Sequence, residues 1–177
     1  MQVFQVIYFI FIIVYCIIQM YRYNFTLNFK TGVLNMLKNI PSVLSPELLK
    51  TLMEMGHGDY LVIGDGNFPA ATNAKRLIRC DGHGVPEILD AILKLMPLDT
   101  YVENPVGLMD NGDPDNRPEI WATYEEIIKK NEGDKGIELV ERFDFYDKAK
   151  GAFAIIATGE TAIYANIILQ KGVVIDD

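Results

Sequence analysis

The stretch SPELLKTLMEMGHGDYLVI, Ser45 to Ile63, decides the fold, because it holds a helix, a turn and a strand in 19 residues. Ser45 is placed to accept from the free amides of a first helical turn. Pro46 suits the first helical position, and Glu47 sits at the positive end of the helix dipole. Leu48, Leu49, Leu52 and Met55 then recur at helical spacing and predict one apolar face. Gly56 is expected to close that helix in the left-handed conformation. Tyr60 to Ile63 is a short apolar run of the length of a buried strand.

Working outward, the same alternation continues. Leu77 to Cys80 predicts a second strand, and Pro86 opens a helix to about Met96 whose buried stripe is Ile88, Leu89, Ile92, Leu93 and Met96. Val106 to Met109 reads as a strand. Asp110 to Pro118 (DNGDPDNRP) reads as an acidic, turn-rich loop. A helix from about Ile120 to Asn131 packs Trp121, Tyr124, Ile127 and Ile128. Ile137 to Phe143 predicts a strand, Phe145 to Lys150 a short helix, and Phe153 to Ala157 and Ile167 to Leu169 two further strands. The expected fold class is therefore α/β: a single layered domain with a mixed, largely parallel sheet flanked by helices.

Charge separates this domain from what precedes it. Residues 1–35 contain Arg22 and Lys30 and no acid, leaving 14 basic against 24 acidic residues in 36–177. Val6 to Ile18 reads VIYFIFIIVYCII, and the apolar stretch from Val3 to about Tyr23 approaches the ~20 residues that span a bilayer. Residues 1–35 also lack Ala, Pro, Ser, Asp, Glu, His and Trp. That composition is expected of AT-rich sequence ahead of a start at Met36, the reading preferred here to a membrane anchor in residues 1–23.

Composition narrows the function. A net charge of −8 argues against a nucleic-acid partner, which calls for a basic patch. Cys16 and Cys80 form no CxxC or Cys/His metal spacing, and a reducing compartment is the simpler reading. Gly82-His83-Gly84 lacks the spacing of a dinucleotide loop, and no Ser or Cys sits in a nucleophile elbow. His83, in a glycine turn before a helix, reads as structural or surface.

What remains is acid–base and hydrogen-bonding chemistry. His57 lies between Gly56 and Gly58 at a helix C-terminus, where positive charge is favoured, with Asp59 and Asp65 close behind. Such a setting suits a proton-transfer group, and equally a polar turn. Asp65 opens a loop (DGNFP) after a strand, a common ligand position in open α/β sheets. Together with Asp99, Arg142, Tyr146, Tyr164 and Asn166 these residues suit a polar, uncharged ligand rich in hydroxyls, such as a monosaccharide. Their spacing matches no metal-ligand pattern.

From Met36 to Val174 the chain closely resembles the fucose mutarotase family, the L-fucose branch of the group that includes D-ribose pyranase. The resemblance rests on LSPELLKTLMEMGHGD (Leu44 to Asp59), DGNFP (Asp65 to Pro69), IRCDGHGVPEILDAILKLMPLDTYVE (Ile78 to Glu103) and ERFDFYDKAKGAFAIIATGETAIYANIILQKGV (Glu141 to Val173). It implies a cytoplasmic, cofactor-free enzyme that interconverts the α and β anomers of L-fucose. It implies His57 as proton donor, with Tyr146 and Asp99 also catalytic. Asp65, Arg142, Met109, Tyr164 and Asn166 are implied as sugar-binding positions. It further implies a ring-shaped homo-oligomer, commonly a decamer, with sites completed across subunit contacts. A broader aldose or D-ribose activity, or sugar binding without catalysis, are the alternative expectations.

Overall fold

A computed structural model describes residues 37–175. The chain divides after Ser42, and the unit Val43–Asp177 carries every strand and helix named below. Of the first unit, the described residues 37–42 form bends and turns. The expected extension over residues 1–35 lies outside the described residues. Among the described residues no helix is long and apolar enough to cross a membrane.

The opening unit forms as its sequence dictates. Helix α1 is Pro46–Glu54, and Ser45 caps it by accepting from the Leu48 amide at 3.2 Å. Its end differs from expectation. Met55 is already extended, with φ −67° and ψ 137°, and its N–H closes onto Thr51 O. The left-handed glycine is Gly58, at φ +83°. The Asp59 carboxylate accepts the Gly56 amide at 2.8 Å and so removes the need for a glycine cap. Strand β1, Tyr60–Gly64, follows at once.

The remaining elements are α2 (Ala70–Asn73), β2 (Leu77–Cys80), α3 (Val85–Leu93), β3 (Val106–Met109), α4 (Glu119–Glu132), β4 (Ile137–Val140), α5 (Arg142–Gly151), β5 (Ala154–Thr158) and β6 (Ile167–Gln170). The sheet has six strands in the order β2-β5-β1-β6-β3-β4. Pairs β1–β5, β2–β5 and β3–β4 are parallel, while β6 runs antiparallel to both β1 and β3. The expected mixed, largely parallel sheet is thus present. Alternation along β1 sends Leu61 and Ile63 into one apolar cluster with Leu48, Ile88 and Trp121. It sends Val62 into another with Phe68, Met109 and Phe145. Helices α1, α3 and α4 therefore cover one face, and α2 and α5 the other, which explains strands buried on both sides.

Three further boundaries differ from those the sequence predicts. The strand expected over Ile137–Phe143 stops at Val140, and the helix expected from Phe145 begins at Arg142. Glu141 is the cause: its carboxylate accepts from the Phe143 and Asp144 amides and starts α5 early. The helix expected to reach Met96 ends at Leu93.

Candidate functional site

A cavity of about 180 Å³ opens at the carboxyl ends of β1 and β3, beside the amino end of the antiparallel β6. Asp65, Asn67, Phe68, Met109, Arg142, Tyr146, Ile163, Tyr164 and Asn166 line it. Every sugar-binding position expected from the sequence is here, together with Tyr146. The cavity is smaller than the roughly 300–1,000 Å³ clefts that take drug-sized ligands.

Its floor is a closed polar unit. Asn166 accepts the Asp65 amide at 2.9 Å and donates to Asp65 Oδ2 at 3.0 Å. The same carboxylate accepts the Asn67 amide at 2.9 Å through Oδ1 and the Ala165 amide at 3.4 Å through Oδ2. Asp65 is 5% exposed. Burial raises its carboxyl above the usual carboxylate range, against the pull of those donors. Asn166 also approaches the Met109 sulfur at 3.6 Å. Asp65 and Asn166 therefore brace the loop after β1 against the start of β6.

The walls are aromatic. Phe68 packs against Tyr146 with ring centroids 5.7 Å apart, and Tyr146 against Phe143 at 6.4 Å. Gly64 makes this possible, because a Cβ there would lie 2.8 Å from the Phe68 ring. The Arg142 guanidinium stands 4.9 Å over the Phe143 ring. Among the described residues the side chains of Arg142, Tyr146 and Tyr164 make no hydrogen bond, which leaves a guanidinium and two phenols to meet a ligand. Tyr164 has φ +55°, a conformation rarely taken by a side-chain-bearing residue.

His57 and Asp99 are elsewhere. His57 Nε2 lies 3.0 Å from Asp99 Oδ2, and Asp99 Oδ1 accepts the Tyr101 amide at 2.9 Å. The Tyr101 ring stands edge-on to the imidazole at 5.5 Å. The Gly58 amide donates to Lys171 O and the Asp99 amide to Gln170 O, so this pair sits at the Tyr60–Gln170 end of the β1–β6 ladder. The cavity sits at the Gly64–Ile167 end, four strand steps or about 13 Å away. The carboxylate partner of His57 is thus Asp99 rather than the nearby Asp59 or Asp65, and the three residues expected to act together, His57, Asp99 and Tyr146, are not brought together within one chain. His83, expected to be structural or surface, pairs with Glu87 at 2.8 Å from the turn that leads into α3.

Asn67, Phe68, Ile163 and Tyr101 were not singled out. Asn67 and Phe68 lie inside the DGNFP loop, and Tyr101 stands two residues after Asp99, yet no periodicity marks any of them. Among the described residues no three His, Cys, Asp or Glu side chains group as metal ligands would.

A small polar cavity with aromatic walls, at the carboxyl ends of strands where the sheet changes direction, defines a small-molecule-binding α/β domain. The sequence profile of the RbsD / FucU transport protein family matches residues 38–174, and the chain belongs to that family. It is 48% identical over 144 residues to the fucose mutarotase of Homo sapiens, covering 77% of this chain and 94% of that one. The fold superimposes on the crystal structure of the Streptococcus pneumoniae fucose mutarotase in complex with L-fucose, with TM-score 0.76 and 55% identity, over 78% of this chain and all of the other. Against Bacillus subtilis RbsD complexed with D-ribose the TM-score is 0.62 and the identity 26%, over 75% of this chain and 95% of that one.

Proposed function

We propose that this protein is a mutarotase that interconverts the α and β anomers of L-fucose. The observation that carries the reading is the cavity at the ends of β1 and β3, where a guanidinium, two phenols and a carboxamide face a space of monosaccharide scale. The 55% identity to a fucose mutarotase holding L-fucose, against 26% to the ribose-bound relative, favours the six-carbon deoxysugar over ribose.

Anomerisation removes the proton of the anomeric hydroxyl and delivers one to the ring oxygen. The ring opens to an aldehyde, the C1–C2 bond turns, and the ring closes on the other face. No electrons and no groups are exchanged, so side-chain acids and bases suffice. Each proton transfer by a placed side chain contributes roughly 10²–10⁴-fold. In this reading His57 protonates the ring oxygen and Tyr146 takes the anomeric proton. Asp65, Met109, Arg142, Tyr164 and Asn166 hold the sugar, and Asp99 orients the imidazole.

The separation of His57 from the cavity makes a second copy part of the proposal. A closed ring of identical subunits, a decamer in this reading, lets the His57–Asp99 end of one copy complete the cavity of the next. We place the enzyme in the cytoplasm, in keeping with its cysteine usage. The test is saturation-transfer NMR of α–β exchange in L-fucose, D-galactose and D-ribose at catalytic protein concentration. Fastest exchange with L-fucose supports the proposal. Tight L-fucose binding with exchange at the uncatalysed rate would make the protein a sugar carrier instead.

A further inference from the structure

No residue of helix α4 lines the cavity, yet two of its side chains hold the segment that does. The three residues that enter β6 each hand their carbonyl to a different donor. Tyr164 O accepts from the Trp121 indole N–H at 2.9 Å, Ala165 O from the Tyr124 hydroxyl at 2.9 Å, and Asn166 O from the Met109 amide at 3.2 Å. The first two donors are side chains one helical turn apart on α4, 2% and 0% exposed. The spacing puts both on one helix face, opposite two consecutive peptide groups.

Those peptide groups need holding. Tyr164 stands at φ +55°, a left-handed conformation that strains a side-chain-bearing residue. Its carbonyl has no strand partner, since β6 begins at Ile167. Burying it without a donor would add the loss of a hydrogen bond. Trp121 supplies the donor and Tyr124 fixes the next peptide. Together they determine which way the Tyr164 phenol and the Asn166 carboxamide point.

We infer that Trp121 and Tyr124 are positioning residues, which hold the Tyr164–Asn166 segment in its left-handed turn through the indole N–H and the phenol O–H and thereby set the geometry of the sugar site. Both act through Tyr164 and Asn166 and not on the substrate. The inference rests on the mutarotase reading for its kinetic consequence and on the backbone alone for its structural one.

Trp121 is the single tryptophan of the chain, so replacing all tryptophan by an analogue changes one side chain. Benzothienylalanine keeps the indole shape and lacks the N–H, whereas 5-fluorotryptophan keeps both. The full chain bearing each analogue, and Tyr124→Phe, are compared with wild type in L-fucose exchange and in the Cα and Cβ shifts of residue 164. With benzothienylalanine and with Y124F, exchange is expected to fall about 10–100-fold, the scale of a small misplacement in a site. The residue-164 shifts are expected to leave their wild-type values, with 5-fluorotryptophan restoring both readouts. Equal behaviour of the two analogues, or unchanged shifts in benzothienylalanine protein and Y124F, overturns the inference. A wild type without exchange would refute the mutarotase reading, and the shifts of residue 164 would still decide the positioning role.

Discussion

His57 has a side chain 47% exposed, with one ring nitrogen tied to a carboxylate that is only 2% exposed. The asymmetry is what a proton donor needs. The buried acid and its Tyr101 amide fix the ring, while the open edge stays available to a substrate. Removing the imidazole outright also leaves Asp99 without its partner, a penalty of about 1–3 kcal/mol unrelated to catalysis. His57→Gln is the cleaner variant, because its amide still donates to Asp99 and carries no transferable proton. H57Q is expected to retain the wild-type melting temperature within a few degrees and to lose roughly 10²–10⁴-fold in L-fucose exchange by saturation-transfer NMR. Wild-type exchange in H57Q would remove His57 from the mechanism. At the same scale, Asp65 makes a pH-dependent statement. Its folded carboxyl holds its proton to higher pH than the ordinary value of 3.8, chiefly because burial disfavours the charge. The folded state therefore binds more protons than the unfolded one between those two values. Stability from this group is complete below 3.8 and is lost as pH rises through the raised value. Asp65→Asn does not titrate, so wild-type stability relative to D65N should increase as pH is lowered from neutrality towards 4. Thermal unfolding of the two proteins across that range measures it, and a flat or reversed difference would contradict the assignment.

Among the elements, α5 shows where local sequence falls short. Ile137, Leu139, Val140 and Phe143 keep the segment rich in β-forming apolar residues past Glu141, so IELVERF reads as extended. A single side-chain contact decides otherwise, since Glu141 captures two amides and turns the chain into a helix one residue later. Strands β1, β2, β3, β5 and β6 were legible because each is a short, mostly apolar segment without such a competitor. Helix α2, with four residues, carries no period to read. The site residues were legible as types in motifs, whereas the role of Trp121 and Tyr124 was hidden because an ordinary packed helix face presents the same pattern. The cap has a functional consequence, as Arg142 is the first residue of α5 and faces the cavity. Glu141→Ala is expected to cost about 1 kcal/mol or less in denaturant unfolding, at the low end for an exposed cap. It should also raise KM for L-fucose more than it lowers kcat, because a frayed first turn loosens the guanidinium without touching His57. An unchanged KM would show that Arg142 is placed by something other than the cap.

At the scale of the whole molecule, the feature that sequence distance concealed is the length of β1. His57 and Asp65 are eight positions apart, yet a strand stands between them and sends them to opposite ends of the sheet. No local motion of a side chain spans that gap, so in the proposed mechanism a second copy supplies His57 to the cavity. This geometry separates the proposed catalytic set into two halves that mutation can remove independently. H57Q retains a complete cavity, and Arg142→Ala retains a complete His57–Asp99 pair, so each is expected to be nearly inactive alone. Co-expressed in equal amounts and assembled at random, they form sites in which an intact cavity meets an intact histidine. One site in four has that pairing, and the mixture should recover about a quarter of wild-type exchange. Mixing the purified, fully assembled variants should recover none until subunits exchange, which distinguishes shared sites from residual activity. If each chain held its own complete site, co-expression would give only the sum of the two defective rates. Recovery near one quarter would therefore identify assembly as a condition of catalysis.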